Sequence, residues 1–248
     1  MSDYRQFISP MRKPQPTPKK LVSDGKAVFG TFDREFESMD LRSCSHPVRP
    51  YLPDRFNKLR LTLWEACEIH LEEGILLAAV SDMGLFGMIL HVFFDKRTQR
   101  VTGWKTILRR SHVAIAPNLL DGSISEANTT GASIRFTNSL GKGHCRVEGS
   151  HTAKGHHLEY AFDLQRVSQP SVVSIPFGPN RPLYTQKDLC RVAGSLRIDG
   201  EVLQATEQAA AVVDDHKGFY PYRTHYDWLS VMVGGQQCFG LNLTRNQS

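Results

Sequence analysis

The most regular feature of the chain is a set of short runs in which apolar and polar residues alternate. Such runs include Leu59, Leu61 and Leu63, and also Leu158, Tyr160, Phe162 and Leu164. Because successive side chains of a strand point to opposite faces, a period of two predicts β-strands with one buried face. Turns such as Asp121-Gly122 and Asp199-Gly200 separate the runs at intervals typical of hairpins. The pattern predicts a mostly β fold with few helices, either a sandwich or a barrel.

Residues 74–94 are almost entirely apolar and are long enough to cross a bilayer as a helix. Against a membrane span, Asp82 near the middle would cost about 2.5 to 3.5 kcal/mol in a bilayer. The segment divides better into strands at 75–80 and 85–94, joined by a tight turn that contains Asp82 and Gly84. We therefore expect a β-hairpin here and no transmembrane span.

The secondary structure of residues 204–213 stays open. Glu207 to Ala211 have high helix propensity, whereas the alternation of Ala209, Ala211 and Val213 fits a strand equally well. The prolines at 170–182 suggest a boundary. We predict a basic, proline-rich, disordered leader at 1–24, a first β-barrel or sheet at 25–169, and a second, incomplete barrel or sheet at 170–248.

The formal net charge of +5 is concentrated at the N-terminus, because the first twenty residues contain five basic residues and one acidic residue. The remainder is nearly neutral, which argues against a nucleic-acid partner, since such a surface needs many basic side chains on one face. A weak peripheral contact of the leader with an anionic membrane stays open.

The cysteine pattern favours a reducing compartment. The five cysteines are odd in number and widely spaced, with no C-x-x-C pair, so we expect reduced thiols. They are Cys44, Cys67, Cys145, Cys190 and Cys238. The N-terminus has no apolar stretch before a cleavage site. These features predict a cytoplasmic location.

Common cofactor and metal motifs are missing from the sequence. It has no phosphate-binding loop, dinucleotide fingerprint, nucleophile elbow or H-E-x-x-H motif, so we expect no cofactor. One patch has metal-ligand residue types, namely His144, Cys145, His151, His156 and His157. Its spacing matches no standard zinc template, and we interpret these histidines as surface residues rather than as a metal site.

The segment 214–228 combines most of the residues that could perform chemistry. In an extended conformation Arg223, His225 and Asp227 share one face, and the aromatic residues that include Tyr222 and Trp228 share the other. Asp227 could hold His225 in one tautomer and raise its pKa, which prepares an acid or a base. A structural alternative is an arginine packed across aromatic rings that closes the end of a barrel. Both interpretations stay open.

Several motifs resemble those of a known family. The run Asp215-x-x-Gly218-x-x-Pro221-Tyr222-Arg223-Thr224-x-x-x-Trp228, followed by Gly240-x-Asn242-Leu243, resembles the family known as domain of unknown function 2804. Leu63-Trp64-Glu65 and Ser81-Asp82-Met83-Gly84 resemble its earlier conserved blocks. The similarity runs from about Gly30 to the end of the sequence. That family is distantly similar to the lipocalin-like proteins that include carotenoid 1,2-hydratase and tocopherol cyclase.

The resemblance implies an antiparallel lipocalin-like barrel, or two consecutive half-barrels, around an apolar ligand site. It also implies acid catalysis on an alkene without a redox cofactor. Two features depart from the family pattern: Lys217 stands where arginine is expected and Tyr226 where tryptophan is expected. Family members continue for several strands beyond the Asn242 block, so we expect an open sheet edge that another subunit could cover.

Two functional hypotheses follow. In the first, the protein binds an apolar, lipid-like or isoprenoid-like molecule through Trp64, Phe162, Phe177, Tyr222, Trp228 and Asn242. If it is an enzyme, it is a cofactor-independent lyase or isomerase. Asp215 or Asp227 then donates the proton, His225 is the partner and Arg223 orients them. In the second, the protein is a non-enzymatic carrier or interaction module, and Asp215, Arg223 and Trp228 are purely structural.

Overall fold

The computed structural model describes residues 13–51, 53–221 and 225–247, with the side chains of 225, 226 and 244–247 left out. Its helices are short: one α-helix, α1 (Asp54–Lys58), and 3-10 turns at Leu41–Ser43, Arg110–His112 and Leu140–Lys142. None of the helices in these ranges has the length and apolar character needed to cross a membrane.

Strands make up most of the described chain, which confirms the predicted mostly β fold. In chain order they are β1 (Val22–Ser23), β2 (Lys26–Ala27), β3 (Gly30–Phe32), β4 (Thr62–His70), β5 (Gly74–Asp82), β6 (Phe86–Asp95), β7 (Arg100–Arg109), β8 (Val113–Ala114), β9 (Ser123–Thr129), β10 (Ala132–Ser139), β11 (His144–Ala153), β12 (His156–Arg166), β13 (Ser171–Pro176), β14 (Pro182–Ile198), β15 (Glu201–Gln204), β16 (Ala210–Gly218), β17 (His225–Val233) and β18 (Phe239–Gln247).

The main sheet curls into a nearly closed antiparallel barrel. Eleven of its strands follow the order β7-β6-β5-β4-β16-β14-β12-β11-β10-β9-β8. The two ends of this path lie close together. Gly87 of β6 is so near Val113 of β8 that a Cβ added to the glycine would lie 2.2 Å from Cγ2 of Val113. Inward-facing apolar side chains such as Ile89, Phe136 and Phe162 fill the barrel with a packed core.

The predicted hairpin at 74–94 is confirmed. Strands β5 and β6 pair with Val80 opposite Ile89 and Asp82 opposite Gly87. Gly84 adopts a φ of 84° in the turn, and its N–H donates a 2.8 Å hydrogen bond to Oδ1 of Asp82.

At residues 204–213 the chain forms no helix: strands cover Gln204 and residues 210–213, and a turn lies between them. Strand β15 ends at Gln204 and β16 begins at Ala210, with β16 paired to β4 on one side and β14 on the other. Pairing on both edges overrides the local helix propensity. The domain boundary at 170–182 stays a prediction; strand β13, which lies there, pairs with β3 and β14.

Residues 13–44, which we call the cap, cover one end of the barrel. Leu21, Phe36 and Leu41 of the cap are buried in a second apolar cluster with Tyr184 of β14 and Phe219. The rings of Phe36 and Tyr184 meet edge to face with centroids 6.0 Å apart. The cap therefore closes the barrel end at which β4 begins and β16 ends.

Two histidines lie inside the barrel in a line of hydrogen bonds. The Nδ1 atoms of His91 and His151 are 3.0 Å apart, and Nε2 of His91 is 3.0 Å from Oη of Tyr160. The interpretation of His151 as a surface residue was wrong, whereas Cys145 is a buried free thiol, in line with the reduced thiols expected from the cysteine pattern. Both point inward because they alternate with outward residues on β11. His144, His156 and His157 are exposed.

Replacement of His91 by glutamine should reduce the loss of folding stability at acidic pH. Burial, and then the nearby His151, lower the pKa of His91 to about 3. Between pH 6.5 and 3 the unfolded chain therefore binds a proton that the folded chain refuses, so stability falls as the pH falls. In urea unfolding, the stability lost between pH 7 and 4.5 should be smaller in His91→Gln than in the wild type by about 2 kcal/mol.

The exposed His112 provides the control, and His112→Gln should keep the wild-type pH dependence. An unchanged slope in His91→Gln would contradict the assignment of His91 as a neutral buried group.

Candidate functional site

Strand β16 presents its four consecutive polar residues to two different environments. Asp215 and Lys217 point into the barrel, and Asp214 and His216 point to the outer wall, because side chains alternate along a strand. The register with β4 places Asp215 opposite Glu65 and His216 opposite Trp64. The segment of concentrated chemistry in the sequence therefore forms two separate clusters.

The inner cluster consists of Lys217, Asp215, Glu65 and Asn138. The ammonium of Lys217 contacts both carboxylate oxygens of Asp215, and both side chains are buried. Nδ2 of Asn138 donates a 3.2 Å hydrogen bond to Oε2 of Glu65. Oε1 of Glu65 is buried and has no hydrogen-bond partner among the described residues. The cluster thus holds two carboxyl groups around one ammonium.

The electrostatics of the inner cluster favour a protonated Glu65. Burial, and then the charge of Asp215, raise the pKa of Glu65 to about 7. Burial also raises the pKa of Asp215, although Lys217 opposes the shift. A carboxylic acid that is partly protonated at neutral pH is able to donate a proton.

A second polar chain ties the cap to the barrel wall. Oη of Tyr184 donates to Oε1 of Gln186, and Nε2 of Gln186 donates to Oδ2 of Asp188, each over 2.7 Å. Arg166 then bridges Asp188 and Glu35 of the cap, with 2.6 Å between Nη2 of Arg166 and Oδ1 of Asp188. Burial raises the pKa of Asp188 to about 6 despite Arg166.

A cleft near these groups, which we call the mouth pocket, lies between the cap and the barrel end and measures about 700 Å³. Its walls are mainly apolar, and Lys217 connects it to the inner cluster. Its apolar lining includes Met39, Leu41, Leu61, Leu63, Val113 and Ile115. The pocket can hold a molecule that is mostly apolar.

Charged groups also line the mouth pocket. Nε of Arg110 lies 3.0 and 2.9 Å from the two carboxylate oxygens of Asp82, and Nη2 of Arg42 lies 3.7 Å from Oδ2 of the same group. Sequence reasoning did not find Arg42, Arg110 or Glu65 as site residues. The motifs that contain Asp82 and Glu65 were the available signal, but their spacing does not show that Asp82 lines the pocket and that Glu65 lies opposite Asp215.

The outer cluster lies on the other side of the same wall. The ring of Trp64 stacks on that of His216, with centroids 4.5 Å apart, and Nε1 of Trp64 donates to Oη of Tyr220 over 3.1 Å. Nε2 of His216 and Nζ of Lys187 lie 2.9 and 2.6 Å from Oδ1 of Asp214. Burial would raise the pKa of Asp214, but His216 and Lys187 outweigh it and lower that pKa.

The remaining predicted ligand-binding residues are scattered. Phe162 is part of the packed interior, and the ring of Phe177 lies 6.2 Å from that of Tyr220. Trp228 lies outside the barrel wall, with Nζ of Lys187 5.2 Å from its ring centre, and Asn242 is half-buried on β18. The structure does not bring these side chains to one cavity.

Among the predicted catalytic residues, Asp215 belongs to the inner cluster, whereas Asp227 is exposed on β17. Arg223 and the predicted ligand-binding residue Tyr222 lie outside the described residues, as does the side chain of His225. In the described part of the chain, no three His, Cys, Asp or Glu side chains come together as metal ligands.

Fold and site together define a capped, barrel-like β protein with buried ionisable groups beside a pocket at the barrel mouth. The family model described as Domain of unknown function (DUF2804) matches residues 13–248, so the chain belongs to this family. The resemblance noted from the sequence motifs is thereby confirmed. No curated protein matches the chain.

Replacement of Glu65 by glutamine should stabilise the protein at high pH. Because the folded pKa of Glu65 lies above its value in the unfolded chain, its contribution to stability is full below pH 4.5 and is lost as the pH rises through 7. Glutamine stays neutral, so the stability of Glu65→Gln relative to the wild type should increase by about 2 kcal/mol between pH 5 and 8.

Urea unfolding at the two pH values measures this change. Glu126→Gln, at an exposed position paired with Arg135, is the control and should show no such increase. A relative stability that is the same at both pH values would show that Glu65 is not held protonated.

Proposed function

We propose that this protein binds an apolar, lipid-like or isoprenoid-like small molecule in the mouth pocket. The observation that carries the proposal is the pocket of about 700 Å³ with mainly apolar walls, next to a buried ammonium and two carboxyl groups. Its volume lies within the range of small-molecule sites, about 300 to 1,000 Å³. The ligand lies at the end of the barrel, because the barrel interior is filled by side chains.

The charged groups suit a ligand with one polar end. Lys217 and the guanidinium groups of Arg42 and Arg110 offer hydrogen-bond donors on the pocket surface, and Asp82 holds Arg110 in place. A wholly apolar molecule would displace water from these charged groups without replacing its hydrogen bonds, which costs binding free energy.

We further propose that the pocket supports cofactor-free acid catalysis of the hydratase, cyclase or isomerase type. Protonation of an alkene needs a carboxylic acid that stays protonated near neutral pH, and Glu65 meets this requirement. Asp215 and Lys217 lie between Glu65 and the pocket and supply a path for the proton. Arg223, His225 and Asp227 stay predictions, and no step is assigned to them.

A cytoplasmic location is part of the proposal. All five cysteines are free, four of them buried, as is expected in a reducing compartment.

A second candidate function is an interaction module, and the hairpin of β17 and β18 favours it. The hairpin packs Met232 against Ala210 and Val212 of β16. Its other face pairs Leu229 with Leu243, Val231 with Leu241 and Val233 with Phe239. These six side chains are 38 to 56% exposed. They present roughly 500 Å² of apolar surface, near the upper end for a monomeric protein.

We propose a second copy of the chain as the partner of this face. Two such faces packed together would bury roughly 1,000 Å², the minimum for a specific interface. Asp227 is exposed and continues the row of Leu229 and Val231, so a negative charge adjoins the patch. That charge disfavours insertion among anionic lipid head groups.

Filling the mouth pocket should abolish ligand binding. All-trans-retinol is a suitable probe, because it is an apolar chain with one hydroxyl group and its own fluorescence reports binding. Leu63→Trp should raise the dissociation constant of retinol at least tenfold, since the larger ring occupies the pocket. Ile107→Trp on the exposed face of β7 is the matched control and should bind as the wild type does. Equal affinities in the two variants, or no binding by the wild type, would refute the proposed site.

Light scattering after size exclusion should report twice the chain mass for the wild type at tens of micromolar. Leu241→Lys places a charge at the centre of the apolar face and should give a monomer. Ile107→Lys also removes an exposed apolar side chain, but away from the hairpin, and should remain a dimer. A monomeric wild type would rule out this second candidate.

A further inference from the structure

Lys217 is the one fully buried lysine in the described part of the chain, with 2% of its surface exposed. It points inward from the end of β16 and forms part of the wall of the mouth pocket. Lysines are almost never buried in this way unless a partner compensates their charge. Here Asp215 is that partner, and Lys217 also lines the mouth pocket, which a purely structural ion pair does not require.

We propose that Lys217 is a site of covalent imine formation with apolar aldehydes or ketones. The inference rests on the proposed function, because it names the substrate class of the same pocket. It depends on three features of the structure: an amine on the pocket wall, a carboxylate in contact with it, and apolar side chains such as Leu61 and Leu63 around it.

Asp215 supplies the proton transfers that the reaction needs. It first accepts a proton from the Lys217 ammonium, which leaves a neutral amine. The nitrogen lone pair then forms a bond to the carbonyl carbon, and the carbonyl oxygen takes up a proton from the nitrogen to give a carbinolamine. Asp215 returns its proton to the hydroxyl group, the C–O bond breaks and water leaves. The product is a protonated imine on Lys217, and one water is released for each carbonyl compound consumed.

The surroundings favour this product over its hydrolysis. The regenerated carboxylate of Asp215 lies beside the positive charge of the imine, so the original ion pair is retained. Leu61 and Leu63 of the pocket wall offer apolar contacts to the hydrocarbon part of the bound imine.

Lys187 provides an internal comparison on the same sheet. Its ammonium is bound to Asp214 on the outer wall and lies over the ring of Trp228, away from the mouth pocket. A general reactivity of lysines that are paired with aspartate would therefore modify both residues. Reactivity that depends on the pocket would modify Lys217 alone.

The experiment treats the full chain with all-trans-retinal, reduces the product with sodium borohydride and locates the adduct by peptide mass spectrometry. The expected result is one reduced retinyl adduct at Lys217, formed at least tenfold faster than at any other lysine. Lys217→Arg keeps the positive charge but cannot form an imine, so its adduct should disappear. Lys187→Arg should be labelled like the wild type.

Mapping the adduct on the wild-type chain decides the question even if Lys217→Arg folds poorly. Labelling spread over surface lysines at similar rates would overturn the inference. So would retinol binding to the wild type without a retinal adduct, which would leave the proposed function intact. If the wild type bound neither retinol nor retinal, the proposed function and this inference would both fail.

Discussion

Lys217 and Asp215 form an ion pair inside the barrel. Removal of either side chain would leave the charge of the other unpaired in an apolar interior. Removing one member of such a pair typically costs about 3 to 5 kcal/mol, because the remaining charge is desolvated and unpaired. This constraint has a consequence for Glu65, which lies opposite Asp215 on β4. Burial, and then the neighbouring Asp215 carboxylate, raise the pKa of Glu65 to about 7, so Glu65 is partly protonated at neutral pH.

The cap covers part of the barrel end that contains these buried groups and adds a second charged network to it. Apolar side chains such as Phe36 and Leu41 cover part of the opening, and Glu35 joins Arg166 to complete a second charged network with Asp188. The mouth pocket lies at the part of the barrel end that the cap does not fill, between Leu41, Leu63 and Ile115. The pocket is therefore a product of incomplete closure at an end where charges are already present. Small-molecule sites commonly occur at the mouths of barrels.

Much of the fold could be predicted from local pattern. The alternation at Leu158 to Leu164 and the turn at Asp82 and Gly84 identify strands and a hairpin, because both signals depend on neighbours in the chain. The candidate site was less accessible. Asp215 was singled out, but Glu65 was not, since the two residues are brought together only by the pairing of β16 with β4. His151 was misjudged because the strand to which it belongs was not recognised near the turn at Gly155.

Read alone, the sequence determined the mostly β class, the family motifs and the hairpin of residues 74–94. These properties follow from residue type and from the two-residue period of a strand. Only the tertiary structure decided which face became the barrel interior, that Trp64 and Trp228 lie on the outer wall, and that the cap creates a pocket beside Lys217. The physical reason is that burial depends on contacts between strands distant in the chain, which the local pattern does not specify.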